Sequence, residues 1–482
     1  MKYIFVVVVC IAVTALKAQT PVPFNSAAYD YAPSITADGR RMYFTSNRPE
    51  GFGSLDVWYV DKFDSTWSDP LNCGAPINDS LPNSMTAITP DGMTMVVTEC
   101  TEPDGYGSCD LYITHLQKDG TWSKPENMGP SINSSGWESN PCLSRDGNTL
   151  YFASDRSGGA GGIDIYVSTR TASGWSSPVD LVGVNTPGND VSPYISLDDS
   201  TLYFGSNGVD PKSTGYCDIY MSVRHNGEWS KPVAVTPANS QMDDFFPTMP
   251  GSQDKMYFCS NRVDTSFKRR GYHIYEVDLP WEFRPAHAFT SVRGKVLDNE
   301  TQIPLDAHIT VNDRKTSGVV YSGENNPLTG AFSFILPRDH DYSIFAIVND
   351  YYLANADFSL TDTSSDLLTE NVIAEHVQVG RPHIVSDVFR HDSDTLTPDG
   401  MLEVKKIAAL MTDDQALRAA VFINNELCDD DSLLRERRMN KIRSSLRETR
   451  RDVSNIEWKS QPFAGEPLVS KNNYLVLVPI LN

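Results

Sequence analysis

The chain is poor in positive charge. It has 40 Lys and Arg against 62 Asp and Glu, which gives a formal net charge of −22. A surface of this sign repels the phosphates of nucleic acids and the anionic head groups of membranes. We therefore expect neither nucleic acid nor an anionic lipid surface to be a main partner.

Beyond its N-terminus the sequence has no apolar run of about 18 residues or more, the length that spans a membrane. One shorter apolar run, Ile4 to Leu16, follows Lys2 and precedes Ala18. This pattern is typical of a cleaved secretory signal peptide. Residues 1–18 are therefore predicted to be a signal peptide, and the rest of the chain is expected to be exported without a membrane span.

The sequence offers no metal site, because no cysteines or histidines have the close spacing of zinc ligands. No cofactor is expected either. Seven cysteines remain after the signal segment, so at least one is unpaired. Cys100 and Cys109 flank one glycine-containing turn and could form a disulfide in an oxidising compartment. Buried free thiols within the strands are an equally good interpretation.

Short catalytic motifs such as Gly-x-Ser-x-Gly and His-Glu-x-x-His are also missing. The adjacent carboxylates Asp243 and Asp244 could do acid–base chemistry, but they fall in a polar stretch between two repeats. We therefore predict no catalytic residues and expect that the chain is not an enzyme.

What the sequence does have is an internal repeat over its first 280 residues. Each unit contains an alternating strand, a glycine-rich turn, an Asp-hydrophobe-Tyr element and, in four units, a Trp-x-x-Pro element. The repeated acids and tryptophans, spaced by about 54 residues, are Asp56, Asp110, Asp164, Asp218, Trp67, Trp122, Trp175 and Trp229. Short strands in units of this length are typical of β-propeller blades.

Five units can be counted, and we predict a five-bladed β-propeller over residues 19–286. The segment Phe24 to Ser26 is similar to the ends of later units, so it is expected to complete the last blade and close the ring. A side chain repeated in every blade usually serves the architecture. The repeated Asp and Trp are therefore predicted to be structural.

Three units contain the related strings Tyr43 to Arg48, Tyr151 to Arg156 and Tyr257 to Arg262. With the Asp-hydrophobe-Tyr element, these strings resemble the TolB-like periplasmic propeller repeat. The second unit departs from the pattern, with Val96 to Cys100 at the corresponding place. The resemblance implies a propeller that works in the periplasm.

Residues 287–379 contain short alternating strands separated by Gly and Pro turns, which predicts a β-sandwich. The order of elements from Gly294 to Tyr352 resembles the carboxypeptidase regulatory-like domain, a transthyretin-like fold. In that family the module is a non-catalytic spacer or recognition unit.

Residues 380–482 alternate strands and helices, which predicts a small α+β domain. The strand Ile384 to Phe389, the basic helix Ser432 to Arg450 and the last strand Tyr474 to Ile480 resemble a degenerate OmpA-like peptidoglycan-binding domain.

That resemblance implies a partly conserved peptidoglycan site. Arg438 would bind the carboxylate of diaminopimelate in the cell-wall stem peptide, as the helix Arg of the family does. Asn424 and Asn425 stand where the family has an Asp that binds the ammonium group. Peptidoglycan binding is therefore expected to be weak, and Arg438 could equally be a solvated helix charge.

The three domains in this order are similar to envelope proteins of Bacteroidetes, in particular a periplasmic accessory protein of type IX secretion, whose TPR domain is absent here. The resemblance implies a non-enzymatic, outer-membrane-associated scaffold in the periplasm. Its propeller would bind envelope or secretion-apparatus proteins, and its last domain would contact peptidoglycan. Two alternatives stay open: a glycan-binding or glycan-active propeller protein, and a structural envelope protein without wall binding.

Overall fold

A computed structural model describes most of the chain after residue 18. The described residues are 19–209, 217–263, 271–316, 318–349, 351–352, 354–377, 383–386, 388–390, 393–397, 400–401, 404, 417–424, 432–448, 456–459 and 474–481. The chain divides into two compact units, Met1–Ser291 with Ser365–Leu367 and Val292–Ser364 with Leu368–Asn482.

The described residues of the first unit form five antiparallel sheets, which we number as blades 1 to 5. The first strand of the chain, β1 (Thr20–Pro21), belongs to blade 5. Blade 1 comprises β2 (Asp30–Ile35), β3 (Arg41–Ser46), β4 (Asp56–Phe63), β5 (Thr66–Trp67) and β6 (Leu71–Asn72). Blade 2 comprises β7 (Asn83–Ile88), β8 (Thr94–Cys100), β9 (Cys109–His115) and β10 (Glu126–Asn127).

The remaining blades repeat this order. Blade 3 comprises β11 (Glu138–Leu143), β12 (Thr149–Ser154), β13 (Asp164–Thr171), β14 (Gly174–Trp175) and β15 (Val179–Asp180). Blade 4 comprises β16 (Asp190–Ile195), β17 (Thr201–Ser206), β18 (Asp218–His225), β19 (Glu228–Trp229) and β20 (Val233–Ala234). Blade 5 comprises β21 (Asp244–Thr248), β22 (Lys255–Ser260), β23 (His273–Asp278) and β1.

The blades form a ring around their first strands. Each first strand contacts the first strand of the next blade, and β21 contacts β2. The amide of Ile88 donates to Ser34 Oγ across the joint of blades 1 and 2, and the amide of Ile35 donates to Thr248 Oγ1 across the joint of blades 5 and 1. This arrangement is a β-propeller.

The hydrophobic core lies between neighbouring blades. The second strand contributes a fully buried Phe in four of them: Phe44, Phe152, Phe204 and Phe258. The repeated tryptophans pack against the preceding blade. Trp67 lies edge-on to Tyr257 of blade 5, and Trp122 lies edge-on to Tyr43 of blade 1. The tryptophans therefore fill the joints between blades.

An asparagine joins the end of each unit to a third strand by two hydrogen bonds with one residue's backbone. In blade 1, Asn78 Nδ2 donates to the Val57 carbonyl and Asn78 Oδ1 accepts from the Val57 amide, both at 2.8 Å. The same pairs recur as Asn133 with Leu111, Asn185 with Ile165, Asn239 with Ile219, and Asn25 with Ile274. Asn25 therefore fixes the N-terminal segment to blade 5.

The second unit begins with two packed sheets. One holds β27 (Ala331–Pro337), β24 (Phe289–Asp298), β30 (Leu367–Thr369) and β31 (Val372–Ala374), and the other holds β26 (Val319–Glu324), β25 (His308–Asp313), β28 (His340–Ile347) and β29 (Ala354–Leu360). Gly294 in β24 cannot carry a side chain, because a Cβ atom there would lie 1.8 Å from the Glu370 carbonyl oxygen.

A further sheet follows, in the order β32 (His383–Ser386), β35 (Tyr474–Leu481), β33 (Leu417–Asn424) and β34 (Ile456–Trp458). The helix α1 (Ser432–Glu448) packs Met439, Ile442 and Leu446 into the core of this region. No helix among the described residues is long and apolar enough to cross a membrane.

Replacing Asn25 by Ala should release the N-terminal segment from blade 5. Two buried hydrogen bonds are lost, and each unsatisfied buried group costs about 1–3 kcal/mol, so the melting temperature should fall by several degrees. Faster cleavage of residues 19–29 by a protease is the specific signature. The matched variant Asn133→Ala should also lower the melting temperature but leave the N-terminus protected. Equal protection of the N-terminus in both variants would contradict this role.

Candidate functional site

The repeated Asp at the start of the third strand closes the turn that precedes it. Asp56 accepts hydrogen bonds from the amides of Phe52 and Gly53, and Asp164 accepts from those of Ala160 and Gly161. Asp110 does the same with Tyr106 and Gly107, and Asp218 begins β18 at the same position. Through these hydrogen bonds the carboxylates bind the backbone of their own blade.

A second repeated set joins an acid to an arginine in blades 1, 3 and 5. The ion pairs are Arg48–Asp30 at 2.5 Å, Arg156–Glu138 at 3.1 Å and Arg262–Asp244 at 2.5 Å. The three carboxylates are 0% exposed. A buried charge of this kind is costly unless it is paired and hydrogen-bonded, so the arginines hold these acids in place.

Each of these arginines also bonds the end of the preceding unit. The guanidinium Nη2 atoms donate to the carbonyls of Phe24, Ile132 and Ala238 at 3.3, 2.6 and 3.1 Å. The acceptor lies 24 residues before the arginine in all three blades. The sequence shows the arginines in the string Tyr-Phe-x-Ser-x-Arg, but it did not reveal their acidic partners.

Blades 2 and 4 lack this arginine. The register of the sheets places Thr101 of blade 2 and Gly208 of blade 4 at its position. In blade 4 the chain itself fills the space, because a Cβ atom on Gly208 would lie 2.1 Å from Thr186 Oγ1. Thr186 donates to Asp190 instead, and burial raises the pKa of this carboxyl.

Blade 2 carries its acid on the neighbouring strand. Asn83 replaces the acid of the first strand, and Glu99 replaces the serine that faces it. Glu99 is only 8% exposed, and none of the described residues donates a hydrogen bond to its carboxyl group. Burial, followed by repulsion from Glu102, Asp79 and Asp104, raises its pKa to about 8.

The loop beside Glu99 is closed by a disulfide between Cys100 and Cys109. It carries Glu102 and Asp104, and Asp104 accepts a hydrogen bond from Tyr112 Oη at 2.7 Å. Glu102 Oε1 is buried without a hydrogen-bond partner among the described residues. We call Asp79, Glu99, Glu102 and Asp104 the acidic pocket of blade 2.

An aromatic cluster lies at the joint of blades 5 and 1. We call its members, Tyr29, Tyr31, Phe245, Phe246 and Tyr272, the seam cluster. Ring centroids are 6.1 Å apart in the pair Tyr29–Tyr272, 6.1 Å in Tyr31–Phe246 and 5.3 Å in Phe245–Tyr272. All five rings are exposed or only partly buried. No sequence periodicity indicated this cluster, because its members come from opposite ends of the repeat array.

The seam cluster and the acidic pocket lie on one face of the ring. Both are at the end of the blades where the first strands begin, which we call the entry face. Phe52 and Tyr106, in the loops between second and third strands, are 58% and 49% exposed on the same face. Asp243 adjoins the cluster and accepts a hydrogen bond from Asn261 at 2.7 Å, and burial raises its pKa.

A cavity of about 60 Å³ lies at the centre of the ring. Each first strand bulges there and places one residue in the left-handed conformation, with φ between 47° and 55°: Ala32, Met85, Asn140, Ser192 and Phe246. None of the described residues that line the cavity is an Asp, Glu or His. The lining therefore offers hydroxyl, amide and apolar contacts. No group of acids, His or Cys in the described part of the chain could hold a metal.

The residues predicted to bind peptidoglycan lie in the second unit. Arg438 is 1% exposed, so it is not a solvated helix charge. Its Nε donates to the Ser393 carbonyl at 2.7 Å, its Nη2 donates to the Arg390 carbonyl at 3.3 Å, and the guanidinium lies over the Phe389 ring. Asn424 is the last residue of β33, and Asn425 lies outside the described residues.

No protein-family model matches the chain, and no curated protein matches its sequence. Solved structures do match. TolB from Acinetobacter baumannii is 13% identical, with a TM-score of 0.33 over 52% of this chain and 54% of that chain. A GH43 endo-arabinanase from Bacillus licheniformis is 14% identical, with a TM-score of 0.37 over 55% and 97%. An alpha-L-arabinofuranosidase from Lactobacillus brevis is 11% identical, with a TM-score of 0.38 over 54% and 93%.

The chain thus spans about half the length of the TolB structure. Identities this low concern the fold alone, a β-propeller, and not the function. They agree with the TolB-like propeller predicted from the repeat strings.

The prediction that the chain is not an enzyme is corrected by these findings. Several of the similar solved structures are arabinan-degrading enzymes, so this propeller does not by itself exclude catalysis. The physical reason is topological: side chains that meet at the ring centre come from blades far apart along the chain. A search for short contiguous motifs cannot detect such a site.

Replacing Glu99 by Gln should remove a pH dependence of stability. A carboxyl whose pKa is raised on folding stabilises the fold below its unfolded pKa, and this contribution is lost as the pH rises through the folded value of about 8. Each pKa unit corresponds to about 1.4 kcal/mol. The melting temperature of the wild type should therefore fall by several degrees relative to Glu99→Gln between pH 5 and 9. The exposed control Glu126→Gln should follow the wild type, and parallel curves for all three proteins would contradict the burial effect.

Replacing Arg438 by Ala should destabilise the second unit. Two backbone carbonyls lose their donor and the helix loses a buried side chain, which together cost about 2–4 kcal/mol. The exposed neighbour Arg437 is the matched control, and Arg437→Ala should leave the melting temperature unchanged. Urea unfolding followed by the helical signal in circular dichroism measures both variants. Equal stability of the two would place Arg438 outside the packed core.

Proposed function

We propose that the chain is a binding protein of the cell envelope, in which a closed five-bladed propeller holds a protein partner on its entry face. The observation that carries the proposal is the set of exposed aromatic side chains on that face. Tyr29, Phe52 and Tyr106 are 46%, 58% and 49% exposed, and Tyr29 belongs to the seam cluster. Aromatic side chains dominate the energetically important centres of protein interfaces.

The acidic surface supports a periplasmic protein partner further. With a net charge of −22, the chain attracts basic surfaces over a distance of about one Debye length. The apolar run at residues 4–16 supports export, and the resemblance to TolB-like repeats supports the periplasm. We also propose association with the outer membrane and a role in type IX secretion. These two parts are supported by the sequence resemblance alone.

Contact of the last domain with peptidoglycan is the second part of the proposal. It rests on the resemblance of β33, α1 and β35 to the OmpA-like order. Because Arg438 already donates to two backbone carbonyls, a ligand carboxylate would have to compete with them. The contact is therefore expected to be weak.

A carbohydrate ligand is a second candidate for the entry face, favoured by one observation. Asp243 and Asn261 offer polar groups directly beside the rings of Phe245 and Tyr272. Aromatic rings pack on the apolar faces of sugars while carboxylates and amides bind the hydroxyl groups. Binding of an arabinan or other polysaccharide that is lost in Tyr272→Ala would favour this candidate over a protein.

Photo-crosslinking residues placed at 52 and 106 in whole cells should capture a protein partner. The same residue at 63 and 93 is the matched control, since Phe63 and Met93 are exposed hydrophobics at the opposite end of the blades. We expect adducts from the first pair only. In the purified complex, Phe52→Ala with Tyr106→Ala should weaken affinity at least tenfold, because interface hot spots are worth about 2 kcal/mol each. Adducts from the control sites alone would move the binding surface to the other face.

A further inference from the structure

We propose that the acidic pocket of blade 2 binds a basic side chain, Arg or Lys, of the partner protein, at the place that an arginine of the chain itself occupies in blades 1, 3 and 5. This inference rests on the proposed protein-binding function and specifies the chemistry of the contact. The occupant is a protein side chain and not a free cation.

The three complete blades show what the position holds. In each of them one guanidinium contacts a fully buried carboxylate, the serine opposite it and a carbonyl at the end of the preceding unit. In blade 1 these are Asp30, Ser46 and Phe24. The guanidinium therefore satisfies three acceptors that the fold brings together.

Blade 2 keeps the acceptors and lacks the donor. Glu99 supplies a buried carboxyl, and the carbonyl of Ile77 corresponds to that of Phe24 because both precede the bridging asparagine. Among the described residues, nothing donates a hydrogen bond to the Glu99 carboxyl or to the Ile77 carbonyl. Thr101, at the position of the arginine, is exposed. Buried hydrogen-bond acceptors that lack a donor lower the stability of the fold, and a ligand that donates to them would regain this free energy.

Blade 4 shows that a missing arginine does not always leave an open position. There Gly208 packs against Gly188 and Thr186, and Thr186 hydrogen-bonds the buried Asp190. In blade 2 the residue at this position, Thr101, is exposed. Its position is flanked instead by further acids, Glu102 and Asp104.

The charges around the position select a cation. Asp79, Glu102 and Asp104 all raise the pKa of Glu99, and Lys124 lowers it. Glu102 Oε1 is buried without a partner in the described part of the chain. The described acids do not form a group that could hold a metal ion, so a long basic side chain fits better than a bare cation. Tyr106, in the same loop, is 49% exposed.

The loop is preorganised for binding. The Cys100–Cys109 disulfide joins its two ends, and Asp110 fixes its backbone through the amides of Tyr106 and Gly107. A loop held in its bound conformation loses less entropy on association. The partner therefore meets a fixed acidic pocket.

The first test uses the full-length protein and a small probe, N-acetyl-arginine amide, with its neutral citrulline analogue as control. Ligand-detected NMR should show saturable binding of the arginine probe, none of citrulline, and tighter binding as the pH rises from 6 to 9 while Glu99 ionises. Glu99→Gln should weaken binding at least tenfold. Asp190→Asn, which changes the buried acid of blade 4, should leave it unchanged. Equal binding of citrulline, or equal binding by Glu99→Gln, would overturn the proposal.

The second test introduces an arginine of the chain itself next to Glu99 in blade 2. Thr101→Arg puts an arginine at the sequence position that Arg48, Arg156 and Arg262 hold, on a left-handed backbone with a φ of 63°. It should raise the melting temperature and abolish binding of the probe. Thr101→Gln is the uncharged control and should do neither. A Thr101→Arg variant that still binds the probe would overturn the proposal. Tight binding of calcium that displaces the probe would assign the pocket to a metal and overturn it as well.

The protein-binding face and the basic contact within it can be tested separately. Crosslinks from positions 52 and 106 that survive Glu99→Gln at full yield would keep the protein-binding face and remove the basic contact. Loss of these crosslinks in Glu99→Gln and in Thr101→Arg, but not in Asp190→Asn, would support both. Absence of crosslinks in the wild type would remove the proposed function, whatever the probe shows.

Discussion

The propeller depends on how its blades neutralise the buried polar group at the start of each first strand. In three blades an arginine reaches this group across the sheet and at the same time bonds the tail of the preceding unit. One side chain thus satisfies a buried charge and ties two units together. The asparagine that follows each contacted carbonyl adds a second tie to the third strand. The ring is therefore held by polar contacts at its joints as well as by the apolar core between blades.

Much of the first unit could be predicted from the sequence, because a repeat shows its own period. Alternating strands, turn glycines and tryptophans recur at fixed steps, and each maps to one place in a blade. The similarity of residues 24–26 to later unit ends pointed to the N-terminal segment as part of the last blade, and β1 indeed pairs with β23. The described residues form five sheets in this unit, in the order that the repeat implies.

The candidate site could not be predicted in the same way, because it lies where the repeat is broken. In the sequence, Glu99 and Thr101 look like ordinary differences between the second unit and the repeat pattern. Only the strand register shows that Glu99 stands at the position of the serine and Thr101 at that of the arginine in other blades. An alignment of the five repeat units with one another would have shown that the second and fourth units lack the arginine. The seam cluster had no such signal, since Tyr31 and Phe245 are brought together only by closure of the ring. The burial of Arg438 could not be predicted either. A helical pattern does not show that the guanidinium donates to the carbonyl of Ser393, a residue 45 positions earlier in the chain.

The bulge in each first strand has a consequence for how this ring can change. Five residues adopt one left-handed backbone geometry at the centre, yet their side chains are as different as Ala32, Asn140 and Phe246. The main chain, and not the side chain, therefore maintains the architecture there. Substitutions at these five positions by residues that tolerate the left-handed conformation alter what the cavity presents and keep the strands that carry it. The backbone at the centre of the propeller is therefore constant, while the side chains that line the cavity differ from blade to blade.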